Sequence, residues 1–184
     1  MELLDIVDED GMPTGEIIKR EVAHRYGIRH RTSHVWLLRK RNGKLQVLLQ
    51  KRSLNKDSYP GCYDISSAGH IPYGDGFLES ALRELKEELG ISVTANELIY
   101  CGQRRFEYRE IFREQEFWDN QVSNIYALWW DAEATEFTIQ KSEVDTVLWM
   151  DWDICIHMIK SRKVPSCILI EELKMISSTI KGIC

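Results

Sequence analysis

Short β-prone runs alternate with helical stretches along this chain, and their order sets the expected architecture. Leu3 to Val7 reads as a strand, Asp10-Gly11 as a tight turn, and Gly15 to Ile18 as the returning partner. Lys19 to Tyr26 predicts a short helix broken by Gly27, after which the histidine-rich run His30 to His34 leads into another strand. Val35 to Leu38 and Leu45 to Gln50 flank Asn42-Gly43, so they pair as a second hairpin. The polar stretch Lys51 to Gly61 predicts a crossing loop, and Cys62 to Ala68 a strand.

The apolar period then changes from two to about 3.6 residues. Leu78, Ala81, Leu82, Leu85 and Leu89 fall on one helical stripe, Glu84, Glu87 and Glu88 share a neighbouring arc, and Gly90 stops the helix before apolar Ile91. Leu98 to Arg105, Ile125 to Trp130 and Val144 to Met150 read as strands. Phe106 to Trp118 fits a strand by its aromatic spacing and an exposed arm by its charge. Asp151 to Ser161 and Ser166 to Ser178 read as helices, the second capped by Ser166 after Pro165. Strands on both sides of a central helix predict a mixed sheet with helices packed against it.

Composition narrows the class. The 184 residues suit a single domain with a sizeable core. No run approaches the roughly 20 apolar residues needed to cross a bilayer, and the opening Met-Glu-Leu-Leu-Asp-Ile-Val-Asp lacks the basic and apolar segments of a signal peptide, so a cytoplasmic location without membrane contact is expected. Cys62, Cys101, Cys155, Cys167 and Cys184 are scattered without Cys-x-x-Cys spacing, which predicts reduced thiols. A net charge of −5 argues against a nucleic-acid partner. The local group Arg20, Arg25, Arg29, His30 and Arg31 reads equally as a guide for an anionic substrate and as a solvated basic turn.

The three glutamates carry the chemistry. Like charges at such spacing cost an isolated helix roughly 0.2–0.5 kcal/mol per pair. The arc is therefore either a solvated acidic face or a site for a hard divalent cation with oxygen ligands, magnesium above all. Its framing favours the cation: a glycine-rich loop precedes the helix, Arg83 stands immediately before Glu84, and Gly90-Ile91 follow.

Gly69, Arg83, Glu84, Leu85, Glu87, Glu88, Gly90 and Ile91 together resemble the signature of the Nudix family, with Asp75 where that signature has glutamate. Asp75 is either an equivalent carboxylate or the helix N-cap. The resemblance implies an α/β/α sandwich with a mixed β-sheet. Its core spans about residues 30–160, with 1–29 as an N-terminal hairpin and helix extension and 161–184 as a C-terminal helix. Gln50-Lys51-Arg52-Ser53, Pro60-Gly61-Cys62-Tyr63-Asp64, Ala68-Gly69-His70, Asp8-Glu9-Asp10-Gly11 and the set His24, Arg29, His30, Arg31 resemble the branch related to type I isopentenyl-diphosphate isomerase. Those isomerases use a cysteine and a glutamate where this chain has Ala68 and Gln121, and neither of these can carry a proton.

The resemblance thus implies a hydrolase that cleaves the diphosphate linkage of a nucleoside-diphosphate-type or related small substrate by attack of water on phosphorus. Isomerisation of isopentenyl diphosphate and diphosphate binding without turnover are the alternatives. It further implies Mg2+ (or Mn2+) held by Glu84, Glu87, Glu88 and the Gly69 carbonyl, with Glu84 and Glu87 at the reaction and Arg83 holding a neighbouring carboxylate. Glu143 is the distal candidate for general base, Lys51 and Arg52 are candidates to meet substrate phosphates, and His70 is a candidate to reach a phosphate or a metal, as its equivalent does in the isomerases. Each has a plainer reading: a surface ion pair for Arg83, an exposed loop residue for Glu143, solvated edge charges for Lys51 and Arg52, and a backbone-bonded loop residue for His70. Among six tryptophans only Trp118 is a stacking candidate, with packing the safer reading. A homodimer is compatible with the chain.

Overall fold

A computed structural model of the chain describes residues 2–56, 58–112 and 115–181. Cys184 and two residues of the Phe106 to Trp118 stretch lie outside the described residues. The chain opens with the antiparallel pair β1 (Leu3–Val7) and β2 (Pro13–Lys19), followed by helix α1 (Arg20–Tyr26). Strands β3 (His30–Arg41) and β4 (Lys44–Arg52) form the second hairpin across Asn42-Gly43. Asn42 and Gly43 have φ of 50° and 74°, the left-handed pair that a two-residue hairpin turn requires.

The main sheet has the order β5-β4-β3-β8-β7, with β6 (Ser67–His70) also on β3 and β9 (Val144–Asp151) on β4. Here β5 is Tyr63–Asp64, β7 is Ile99–Phe112 and β8 is Gln115–Trp129. β3 and β8 run parallel and the other pairs antiparallel, so the sheet is mixed as expected. The centre of β3, Val35-Trp36-Leu37-Leu38, is an unbroken apolar run because both of its faces are covered there. Trp36 and Leu38 turn towards helices α3 (Trp152–Ser161) and α4 (Ile170–Ile180), where they meet Cys155, Leu173 and Ile176. Val35 and Leu37 turn to the opposite face and meet Ala81, Leu85 and Leu89 of helix α2 (Phe77–Leu89). Two cores sandwich one sheet.

Three expectations are revised. The run Cys62 to Ala68 is not one strand but the two short strands β5 and β6. Between them the Ser66 hydroxyl donates to Leu48 O at 2.7 Å and accepts from Leu37 N at 2.8 Å, so a side chain replaces the ladder there. The last helix begins at Ile170 rather than Ser166. Tyr63 N donates to Pro165 O at 2.9 Å and Cys167 N to Tyr63 O at 3.0 Å, and these bonds keep Ser166 extended beside β5. The ambiguous stretch after Phe106 is strand on both sides of the gap. β7 and β8 pair from Ile99↔Ala127 out to Phe112↔Gln115, while β3 pairs β8 only from Gln121 onward, so the distal part of the hairpin is a two-stranded arm.

The N-terminal hairpin braces the signature loop. Tyr73 N donates to Leu3 O at 2.8 Å, and the Asp5 carboxylate accepts from Gly74 N at 3.2 Å and from the buried Arg31 at 2.6 Å. No helix among the described residues is long and apolar enough to cross a membrane. Cys62, Cys101, Cys155 and Cys167 are free thiols.

Candidate active site

Gly69 on β6 lies directly under helix α2. A Cβ on it would stand 2.2 Å from Cδ of Glu84, so only glycine lets that carboxylate approach the strand. Arg83 holds Glu84 in place: its guanidinium donates to Glu84 Oε1 at 2.9 Å, to Asp75 Oδ2 at 2.8 Å and to His70 O at 3.2 Å. The helix N-cap is Gly76, so Asp75 serves as Arg83's carboxylate partner and not as the cap.

The glutamate arc is split by the packing. Glu87 is exposed, Glu84 is half-buried, and Glu88 is buried with its carboxylate accepting from Ala68 N at 3.2 Å. Burial pushes the Glu88 carboxyl up to about 8, with the nearby Glu84 adding to the rise. Burial also raises Glu84, against the pull of Arg83. Helix α2 closes onto β6 at its C-terminal half, which turns one member of an apparently solvated arc inward. All the donors here are oxygens, and a neutral buried carboxyl that a dication would deprotonate, beside a glycine that leaves room for a carboxylate, fits a hard cation such as Mg2+ or Mn2+.

Next to this helix lies a cavity of about 150 Å³. Gly69 and His70 line it from β6, Arg52 from the end of β4, and Lys56 from the following loop. Arg52 donates to Asp64 Oδ2 at 2.9 Å and to Ser58 O at 3.0 Å. Lys51 does not line the cavity, since neighbours on a strand face opposite sides. Glu143 does not line it either, but it pairs with Lys56, which does. The basic group around residues 20–31 is divided: Arg20 lines the cavity, Arg31 is bound to Asp5, and Arg29 donates to Asn120 Oδ1 at 3.3 Å. Trp118 packs on Gly27, where a Cβ would stand 2.3 Å from the indole.

His70, His24 and Asp119 line the same cavity, and with His30 they form a cluster that spacing along the chain does not indicate. His24 from α1, His30 from β3 and His70 from β6 bring one ring nitrogen each within 4.8 Å of one another. Among the described residues this is the one group of three His, Cys, Asp or Glu side chains gathered so closely, and the signature glutamates are not. Asp119 Oδ1 on β8 lies 3.8 Å from both His24 Nδ1 and His30 Nε2. All three of these atoms are buried without a hydrogen-bond partner. Burial lowers the three imidazoles, His24 to about 3, with their mutual repulsion and the nearby Arg20 contributing. They are neutral at pH 7, as ligands must be, and three imidazoles with a carboxylate suit a borderline cation such as Mn2+ or Zn2+. Spacings of six and forty residues carry no metal-ligand pattern in a linear reading. His24 stands out in the sequence only through its place in the branch resemblance, and His30 through that and its place in the basic group around residues 20–31.

Residues 28–164 match the NUDIX domain family. An uncharacterised Nudix hydrolase of Clostridium acetobutylicum is 39% identical over 143 residues, covering 78% of this chain and 66% of its own. Nudix hydrolase 3 of Arabidopsis thaliana is 38% identical over 156 residues, 83% of this chain but 19% of that protein. This chain thus spans less than two thirds of the length of either relative. An isopentenyl-diphosphate Delta-isomerase of Corynebacterium diphtheriae is 29% identical over 163 residues, 88% of this chain and 85% of its own. A crystal structure from Deinococcus radiodurans superposes with a TM-score of 0.68 at 20% identity over 94% of this chain and 96% of that one, a likeness of fold. With the signature loop and helix, the sandwich and the match over residues 28–164 in agreement, the chain belongs to the Nudix family.

Proposed function

We propose that the protein is a metal-dependent hydrolase that cleaves the diphosphate linkage of a nucleoside-diphosphate-type or related small molecule by attack of water on phosphorus. The observation that carries this reading is the cavity itself. In a chain of net charge −5, Arg20, Arg52, Lys56 and Arg104 converge on one small space bounded by Gly69. Asp64, Asp119 and Glu172 line the same space and pair in part with these cations, so the lining offers oriented donors to an anion rather than a uniformly basic field.

Arg52 and Lys56 bind phosphoryl oxygens, Arg52 with a planar fork already oriented by Asp64. Glu84, Glu87, Glu88 and the Gly69 carbonyl hold Mg2+ or Mn2+, and Arg83, fixed by Asp75, keeps Glu84 turned towards β6. When bound, the dication neutralises phosphoryl oxygens and lowers the pKa of a coordinated water. Glu143, tethered to Lys56 at the rim, is the candidate to take the water's proton. His24, His30, His70 and Asp119 hold a second cation.

The kinship with isomerases supports a second reading, conversion of isopentenyl to dimethylallyl diphosphate. Against it, Ala68 has no ionisable group, and the Gln121 amide is engaged by Thr32 at 2.9 Å and by Asp119. Phosphorus NMR on a panel of ADP-ribose, nucleoside diphosphate sugars and isopentenyl diphosphate, with Mg2+ or Mn2+, separates the readings. Hydrolysis that disappears in Glu87→Gln is expected. Dimethylallyl diphosphate as product would establish the isomerase, and tight binding of a panel member without product would establish a non-catalytic module.

A further inference from the structure

The donor set of the three-histidine site is connected to the C-terminal helix by a continuous chain of polar side chains. Glu172 on α4 is 2% exposed, although its side chain is ionisable. Its Oε2 accepts from Trp36 Nε1 at 2.9 Å, and its Oε1 accepts from Arg104 at 2.8 Å and from His34 Nδ1 at 2.9 Å. The other nitrogen of His34 lies 3.3 Å from the Thr32 hydroxyl, and that hydroxyl lies 2.9 Å from Gln121 Oε1. Gln121 Nε2 in turn donates to Asp119 Oδ2. This leaves Asp119 Oδ1 as the unpartnered oxygen facing His24 and His30.

Donor and acceptor types fix the direction of this chain. Gln121 Oε1 can only accept, so the single Thr32 proton is given to it; the Thr32 lone pairs are left to Ser123 Oγ at 2.7 Å and to His34 Nε2, which donates alongside Nδ1 when both ring nitrogens carry a proton. With its oxygen held by Thr32, the Gln121 amide presents its NH2 to Asp119. The reversed amide would set two oxygens against each other. At the far end Glu172 stays ionised, because His34, Arg104 and Trp36 outweigh its burial and hold its carboxyl down at about 2. A fixed carboxylate anchors one end of the chain and the orphaned metal-facing oxygen terminates the other.

We propose that Glu172 is a positioning residue for the cation site formed by His24, His30, His70 and Asp119, acting through His34, Thr32 and Gln121 to fix the Asp119 carboxylate. α4, at residues Ile170–Ile180, lies beyond the 28–164 segment that matches the family, so the completeness of this site depends on an element outside the Nudix match. The inference rests on the reading that the histidines hold a cation.

Cobalt(II) is a suitable probe, because imidazole ligation gives it a visible band, and excess Mg2+ keeps it from the all-oxygen site. Titrating the full chain with Co2+ in excess Mg2+ is expected to give a histidine-ligated band. Glu172→Gln and Thr32→Val should each weaken Co2+ binding about tenfold and shift that band, the low end of the cost of losing an outer partner of a metal ligand, since both act on Asp119 through Gln121. Leu173→Ala, which removes a buried α4 side chain outside the chain of hydrogen bonds, should lower Tm while leaving Co2+ affinity within about twofold of wild type. Wild-type affinity in both Glu172→Gln and Thr32→Val, or a loss in Leu173→Ala equal to theirs, would overturn the proposal. If the wild-type protein gives no such band while His30→Ala behaves identically, the reading of the histidine site fails first and the inference goes with it.

Discussion

The two walls of the candidate site, the helix α2 wall behind Gly69 and outside the cavity lining and the histidine wall on the cavity itself, were assembled in different ways. On one, Glu84, Glu87, Glu88, Arg83 and Asp75 come from a single loop and helix, fourteen positions in a row, and local spacing already places them together. On the other, His24, His30, His70 and Asp119 come from α1, β3, β6 and β8 and meet only because the sheet and the N-terminal extension converge there. The difference shows in their surroundings. Apart from the buried Glu88, the loop and helix residues retain solvent or local ion pairs, whereas His24, His30 and Asp119 are buried and each has a polar atom without a partner. Local chemistry builds the first wall, and long-range packing builds the second.

The largest effect expected lies on the local wall. Glu87→Gln should reduce turnover by more than about 100-fold, since loss of a ligand exceeds the 10–100-fold cost of losing an outer partner. Its unfolding curve should stay close to wild type, because the residue is exposed. Comparable losses of turnover and stability would mean that the helix is structural and that the two walls do not differ as argued. Gly69→Ala comes next: a Cβ 2.2 Å from Cδ of Glu84 must push that carboxylate away, at about 1–3 kcal/mol of overpacking. Calorimetry and steady-state rates together should show a rate loss larger than the stability loss alone explains.

The packed wall predicts acid sensitivity. His24, lowered to about 3, takes up a proton in the unfolded chain near 6.5 but not in the folded one. His24 therefore contributes a loss of stability as the pH drops from about 6.5 towards 3, while Glu88, raised to about 8 by burial, contributes the opposite change between about 8 and 4.5, so the net fall is expected below about 4.5. Glu172, held at about 2, is ionised in the fold where the free side chain is protonated, so it adds a further fall between about 4.5 and 2. Together these amount to several kcal/mol in urea unfolding with chelator present. Glu172→Gln should flatten the lower part of the profile, and a profile of that variant independent of pH from about 4.5 to 3 would contradict the neutral, buried histidines.

Asp75→Glu should have the smallest effect. It lengthens the partner of Arg83 without removing it, and an exposed pair is worth about 0.2–1 kcal/mol. A rate within about fivefold of wild type is expected, and a larger change would give Asp75 a role beyond holding Arg83.

The N-terminal hairpin, the β3–β4 turn, helix α2 and its signature were legible because each rests on neighbouring residues: Asn42-Gly43 supplies left-handed backbone, and Leu78 to Leu89 repeat with the helical period. The break between β5 and β6 was not, because it depends on Ser66 reaching strands from elsewhere in the chain. Nor was the late start of α4, which depends on Ser166 lying alongside Tyr63. Trp118 was read well as a packing residue, since Gly27 beneath it has no side chain.

By itself, then, the amino-acid order determined the family signature and the helix that carries it, because these follow from local backbone geometry and the helical period. Only the tertiary structure decided that Glu88 faces inward, that Arg52 and not Lys51 meets the cavity, and that three histidines share one buried space with Asp119. Burial and the removal of water are properties of the whole packed sheet, and no run of neighbouring residues encodes them.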